Sequence, residues 1–331
     1  MADRFSRAPR IVAIGGGTGL STMLRGLKHV SPNITAIVSV GDNGGGSGVL
    51  RQELGMPPPG DVRNCLQALA NTEPAMEALL AYRFKEGTLK GQSFGNLFLA
   101  ALNDMSDSFD QAVTRMSELL AITGRVLPVT NEDVQLTAEF DDGTSVVGQC
   151  EIADYKLREK RRILRVGSLP EKPTALDACV DAIDQAEILL LGPGSLYTSV
   201  IPNLLADGIV QAIHASRAAK IYVMNLMTQA GETAGYTAAD HVKALFDHGG
   251  DGLFDHCLIN NLPVPPALME IYLREGAAPI SVDATALAKM GVRADFAPVA
   301  DYSSHLVRHD PLLLAGAIMD LFRRISPTRI Y

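Results

Sequence analysis

Two glycine-rich segments hold the residues best suited to chemistry. Gly15-Gly16-Gly17-Thr18-Gly19 runs into Leu20, Met23, Leu24 and Leu27, which recur at the spacing of one helix face. A glycine loop opening a helix lets the backbone approach a phosphate, and the free amides at the helix start favour negative charge. Gly192-Pro193-Gly194-Ser195-Leu196-Tyr197-Thr198-Ser199 follows an apolar run ending at Leu191 and offers a second helix start rich in small and hydroxyl residues. Two facing cradles suit a diphosphate better than a single phosphate. The pattern G-x-G-x-x-G fails where Leu20 replaces the third glycine, which disfavours an NAD-dependent oxidoreductase. The lack of G-K-[ST] excludes a Walker-type triphosphatase. Ser195 lacks the G-x-S-x-G surroundings of a nucleophile elbow. A glycine turn required only by packing is the plainer alternative for the first loop.

Four further groups stand beside these. Asp42 opens Asn43-Gly44-Gly45-Gly46-Ser47-Gly48, which reads as a flexible loop closing over a ligand, or as a surface turn. Asp42 suits a ribose hydroxyl or Mg²⁺. Asn225, Thr228 and Gln229, with Glu232 and Thr233, offer donors and acceptors fitted to a base or sugar. Arg308 has the geometry to hold a phosphate with two N–H groups, or to form an ion pair. Asp310 before Pro311 has the signature of a helix N-cap. Tyr272 either stacks on a base or packs at a helix end. The basic run Lys156, Arg158, Lys160, Arg161, Arg162 and Arg165 reads as a solvated face or a protein contact. Asp240-His241 reads as helix-end electrostatics. Cys65, Cys150, Cys179 and Cys257 lie far apart with no neighbouring base, which points to core packing in a reducing compartment.

The elements that must position these groups alternate in type. Arg10–Ile14, Ile34–Val40, Glu187–Leu191, Ala219–Asn225 and Cys257–Asn260 read as buried strands. The segment 61–120 is helical in pattern, with Phe109, Val113, Met116 and Leu120 as one stripe, and Leu314, Ile318, Leu321 and Phe322 mark a closing helix. Val134, Leu136, Ala138 and Phe140 alternate with polar residues before a turn at Asp142-Gly143. The expected fold is therefore α/β and Rossmann-like: a mostly parallel sheet with helices on both faces, divided by a small β-rich insertion. The expected boundaries are 1–124, the insertion at 125–168, and 169–331. Ligands in such sheets bind beyond the carboxyl ends of the strands, where the polar loops gather.

Composition sets the outer limits. The chain has 331 residues, 47% of them apolar and 20% charged, enough for a core without disulfides or structural zinc. A net charge of −8 argues against nucleic acid as the main partner. No apolar run approaches the ~18 residues of a membrane helix. With a short polar N-terminus, the cytoplasm is the expected address and no membrane contact is expected.

The segments GGGTGLSTMLRGLK, ITAIVSVGDNGGGSG, PPPGDVRNCLQALA, GQSFGNLFLAAL, LGPGSLYTSVIPNLL and NLMTQAGETAGYTAADHV resemble the bacterial gluconeogenesis factor family, itself related to 2-phospho-L-lactate transferases. The resemblance implies a Rossmann-like cytoplasmic protein that binds UDP-sugars such as UDP-N-acetylglucosamine. Its implied links are to cell shape, cell-wall precursor supply and growth on gluconeogenic carbon sources. It further implies a site built from the Gly15, Asp42 and Gly192 loops, with Tyr272 and Arg308 at nucleotide-sugar contacts. The transferase relatives move a phospholactate group onto a deazaflavin alcohol with Mg²⁺. This sequence departs from the family pattern where Asn43 replaces a second acid, Val49 an arginine and Gln92 a histidine. Asn43 removes a charge from a metal site at Asp42, which weighs against Mg²⁺ chemistry; Mg²⁺ is the one cofactor considered, and no catalytic residue is assigned. The leading expectation is a regulatory UDP-sugar binder, and the alternative is a Mg²⁺-dependent transferase of a phosphorylated small molecule. A homo-oligomer and a regulatory protein partner stay open.

Overall fold

The computed structural model describes residues 8–326. In chain order the strands are β1 (Ile11–Gly15), β2 (Ile34–Val38), β3 (Arg125–Pro128), β4 (Gln135–Phe140), β5 (Ser145–Val147), β6 (Ile163–Leu169), β7 (Ile188–Leu191), β8 (Ala219–Val223), β9 (His256–Asn260), β10 (Arg293–Ala297), β11 (Ala300–Asp301) and β12 (Arg308–His309). The first seven helices are α1 (Gly17–Leu27), α2 (Gly45–Leu54), α3 (Gly60–Leu69), α4 (Pro74–Ala81), α5 (Phe94–Asp104), α6 (Phe109–Leu119) and α7 (Gln149–Glu159). The remaining seven are α8 (Asp177–Asp184), α9 (Ile201–Leu204), α10 (Ile209–Ala215), α11 (Ala238–Gly249), α12 (Pro266–Arg274), α13 (Ala284–Lys289) and α14 (Pro311–Ile325).

Every residue of β1, β2 and β7 is buried, as expected of strands covered on both faces. They form the centre of a seven-stranded parallel sheet in the order β10-β9-β8-β7-β1-β2-β3. Strand order reverses at β1, which has β2 on one side and β7 on the other, so the switch point lies between β1 and β7. The apolar stripe of α1 (Leu20, Met23, Leu24, Leu27) is fully buried, and α1 packs against α3 and α14. Asp310 caps α14 by accepting from the amides of Leu312 and Leu313, each at 2.8 Å. The fold is the α/β, Rossmann-like architecture expected.

The structure refines several local readings. β3 joins the main sheet beside β2, so the stretch from residue 125 begins as an edge strand and the antiparallel sheet β5-β4-β6 starts only at Gln135. β10 was not expected: its sequence Arg-Ala-Asp-Phe-Ala carries two charges and little β-branching. Gly41–Gly48 is not one flexible loop, because α2 begins at Gly45. A Cβ on Gly48 would lie 2.1 Å from the Asn43 carbonyl oxygen, so glycine serves close backbone approach there.

The basic run is a solvated face as expected at Arg158, Lys160, Arg161, Arg162 and Arg165, and Lys156 is its buried exception. Arg162 pairs with Asp240 at 2.7 Å and lies over the Tyr236 ring, and Lys156 is buried. These contacts tie the insertion to α11, whose start Asp240 shares with Thr237 in a capping box. Three cysteines are buried as expected, whereas Cys150 is exposed at the start of α7. No helix among the described residues is long and apolar enough to cross a membrane.

Candidate functional site

The loops that follow β1 and β7 meet at the switch point. A Cβ on Gly19 would stand 2.6 Å from the Pro193 carbonyl oxygen, so the two loops touch backbone to backbone. Together they form one end of a cavity of about 390 Å³ that also takes in residues 225–229, Tyr272 and residues 306–309. Of the expected ligand residues, Gly16, Gly17, Thr18, Gly19, Gly194, Ser195, Asn225, Thr228, Gln229, Tyr272 and Arg308 line this one cavity. Gly15 is the buried last residue of β1, one position behind it. Asp42, Asn43, Gly44 and Gly45 do not line it. Thr22, Leu226, Met227, Val307 and His309 do, and sequence reasoning missed them. Thr22 follows one helical turn after Thr18, which was the available signal.

The two loops differ in what their amides already hold. At the start of α1 no side chain caps the helix, and the Thr18 and Gly19 amides have no intrahelical acceptor. The Gly17 amide is directed to the Asp61 carboxylate. After β7 the donors are engaged. The Gly194 amide donates to Asn225 Oδ1 at 3.0 Å, the Tyr197 amide to Glu232 Oε2 at 3.0 Å, and the Thr198 hydroxyl to Glu232 Oε1 at 2.5 Å. Glu232 is buried, and burial raises its carboxyl above the usual range. The second anion cradle of the sequence reading is thus filled by the protein's own carboxylate. The first is open.

The polar residues after β8 also bond within the protein. Asn225 donates from Nδ2 to the Gly194 carbonyl at 2.7 Å besides accepting from its amide. Thr228 Oγ1 accepts from the Ala278 amide at 2.9 Å, and Gln229 Nε2 donates to Ser195 Oγ at 2.9 Å. These side chains fix the cavity wall and keep Gln229 Oε1 and the Ser195 hydroxyl hydrogen for a ligand. Tyr272 packs with Met227, Leu268 and Val307, and its hydroxyl accepts from the Val307 amide at 2.9 Å. It thereby holds the segment that presents Arg308. Arg308 is exposed and forms no ion pair among the described residues, so the ion-pair alternative is not realised. Burial pushes the His309 imidazole down to about 4, so its ring is neutral at physiological pH.

Behind the glycine loop stands a pair of carboxylates. Asp61 opens α3, and a Cβ on Gly16 would lie 2.6 Å from its Oδ2 and 2.8 Å from Ser39 Oγ. A Cβ on Gly60 would lie 2.9 Å from Asp42 Oδ2 and 2.4 Å from Ser47 Oγ. Burial first, and then the Asp42 charge, push the Asp61 carboxyl up to about 7. Asp61 was not singled out in the sequence, although an acid directly after Pro-Pro-Pro-Gly marks a helix start.

The donors at this pair are all oxygens, and their surplus negative charge is what a bound cation would relieve. Mg²⁺ commonly keeps several waters and takes only one or two carboxylates, so Asp42 and Asp61 fit it. No group of three His, Cys, Asp or Glu side chains able to hold a metal exists among the described residues. Asn43 does not belong to the pair. Its Nδ2 donates to Glu151 Oε2 at 2.7 Å and its Oδ1 accepts from the Cys150 amide at 2.9 Å, which tethers the Asp42 loop to α7.

A family model described as 2-phospho-L-lactate transferase CofD matches residues 11–299. The chain belongs to the CofD family. Within it, the CofD-family chain is 51% identical over 319 residues to a protein of Thermoanaerobacterium thermosulfurigenes, covering 96% of this chain and 98% of the relative. It is 45% identical over 320 residues to the gluconeogenesis factor of Bacillus subtilis, covering 96% of this chain and 100% of the relative. A crystal structure of a Bacillus halodurans protein superposes with a TM-score of 0.90 at 42% identity, covering 94% of this chain and 99% of the other. The chain therefore belongs with the gluconeogenesis factors of the CofD family.

Proposed function

We propose that this CofD-family protein is a cytoplasmic regulatory binder of a UDP-sugar, of the class of UDP-N-acetylglucosamine. In this reading it links sugar-nucleotide supply to cell-wall precursor formation, cell shape and growth on gluconeogenic carbon sources. The observation that carries the reading is the 390 Å³ cavity, where the open amides at the start of α1 share one wall system with the unpaired Arg308 guanidinium. Amides and guanidinium give a diphosphate two kinds of charge-assisted bond. Leu226, Met227, Tyr272 and Val307 add an apolar flank for a base or sugar ring. His309, held neutral, leaves Arg308 as the one cationic side chain among the cavity's lining residues. Nothing in the cavity pairs a nucleophile with a base, which favours binding over turnover. Calorimetric titration with a panel of UDP-sugars tests this: saturable heat with one of them is expected, and no heat with any would refute it.

A second reading has its own observation, the Asp42–Asp61 pair directly behind the Gly16-Gly17 backbone. In it the protein is a Mg²⁺-dependent transferase of a phosphorus-containing group, and the metal, when bound, supplies charge neutralisation at the moving phosphate. Asp61 would orient the glycine loop through the Gly17 amide, and Arg308 would hold the phosphate. Incubation with Mg²⁺, a phospholactate donor and a deazaflavin alcohol decides the matter: product supports transfer, and its absence leaves the binding reading alone.

A further inference from the structure

A second cavity, of about 220 Å³, lies between α2 and the β-rich insertion and shares no residue with the first. It is lined by Asn43 and Arg51 on one side and by Gln135, Val147, Gly148 and Glu151 on the other. Arg51 is the unusual member. Only 8% of its side chain is exposed, its Nε donates to Asp133 Oδ1 at 2.5 Å, and its Nη2 is buried without any partner. A guanidinium carries five N–H donors, is always charged and has no acceptor of its own, so native structures rarely leave one buried and incompletely bonded. Asp133 is half exposed and meets only Nε. Glu151, the other nearby acid, is bonded to the Asn43 amide instead.

We propose that this cavity is a binding site for a small oxyanion, a carboxylate or a phosphate, with Arg51 as its anchor. The volume suits a small metabolite. Occupancy joins α2 to the insertion, and through the Asn43 tether it stiffens the segment that presents Asp42. The site is thus a point from which a small anion adjusts the neighbouring Asp42 loop. It does not depend on what the larger cavity binds.

The test is a nuclear magnetic resonance titration of the full chain with acetate and, separately, with inorganic phosphate, at ionic strength matched with chloride. The Gly148 and Gln135 amides report on this cavity and the Gly19 amide on the larger one. The expected result is a saturating shift at Gly148 and Gln135 with at least one anion, and the tighter of the two names the source. That shift should persist in Arg308→Ala. It should weaken tenfold or more in Arg51→Gln and in Val147→Trp, which fills the cavity while leaving the Arg51–Asp133 pair in place. If Arg51→Gln fails to fold, Val147→Trp decides alone. No saturation with either anion, an unchanged shift in Val147→Trp, or saturation at Gly19 only overturns the proposal, and the last of these leaves the UDP-sugar reading standing.

Discussion

After β1 the chain enters α1 through glycines alone, and the Thr18 and Gly19 amides find no acceptor in the helix. After β7 it enters a π-helical turn at Leu196–Val200, and the buried Glu232 carboxylate already receives the Tyr197 amide and the Thr198 hydroxyl. Both segments are small-residue helix starts beside the same cavity. The difference between them lies in what an internal acid takes: Asp61 receives the Gly17 amide and leaves Thr18 and Gly19 open, whereas Glu232 receives both an amide and a hydroxyl. It teaches that a helix N-terminus binds whichever anion reaches it first, and that an internal carboxylate turns an anion site into a rigid support. The open loop is left to meet a ligand, while the filled loop fixes the wall against which that ligand would sit.

The filled loop should show the largest effect. Glu232→Ala strips acceptors from a buried amide and a buried hydroxyl and should cost about 3 kcal/mol in urea denaturation. Added acetate should recover part of that loss, because the vacated cradle would then resemble the open one; a variant as stable as the parent would mean the clamp is idle. At the open loop, Arg308→Ala should weaken UDP-sugar binding by roughly 1.5–3 kcal/mol while leaving the melting temperature unchanged, since Arg308 has no ion pair to lose. Equal affinity of variant and parent would remove Arg308 from the site.

Where the loops touch, Gly19→Ala puts a methyl group 2.6 Å from the Pro193 carbonyl oxygen. The overpacking should cost on the order of 1–3 kcal/mol and lower ligand affinity in the same variant. Behind the open loop the expected effect depends on pH. The Asp61 carboxyl is raised from 3.8 to about 7, so the unfolded chain releases this proton before the folded one does. The stability linked to Asp61 is therefore intact at low pH and lost as pH rises to about 7. Asp61→Asn should abolish that loss, flattening the stability profile between acidic and mildly basic pH where the parent's falls. Mg²⁺ should stabilise the parent at basic pH and leave Asp61→Asn unaffected; identical pH profiles of the two proteins would show that the Asp61 carboxyl is not raised in the folded protein.

The strands at the centre of the sheet were legible because Ile34–Val38 and Ile188–Leu191 are continuous apolar runs that only a doubly covered strand explains. The loops that build the cavity were legible for a related reason: glycine at a strand end and a helical stripe behind it leave few other arrangements. β10 was hidden by Arg293 and Asp295, whose side chains make their contacts at the sheet edge instead of marking an apolar face. The roles of Glu232 and Asp61 were hidden by distance along the chain. Glu232 looks like one more polar residue until Tyr197 and Thr198 are brought against it, and Asp61 looks like a helix-start acid until Gly17 and Asp42 close around it. Asn225 and Thr228 were read as ligand contacts from their type, and their bonds to Gly194 and Ala278 appear only in three dimensions.

The contrast between the open and the filled loop is tested most directly by a crystal structure of the protein with UDP-N-acetylglucosamine. The expected complex has the diphosphate within hydrogen-bonding distance of the Thr18 and Gly19 amides and of the Arg308 guanidinium, with Glu232 still bonded to Tyr197 and Thr198. A diphosphate seated on the Tyr197 and Thr198 amides with Glu232 displaced, or one lying outside the cavity altogether, would contradict it.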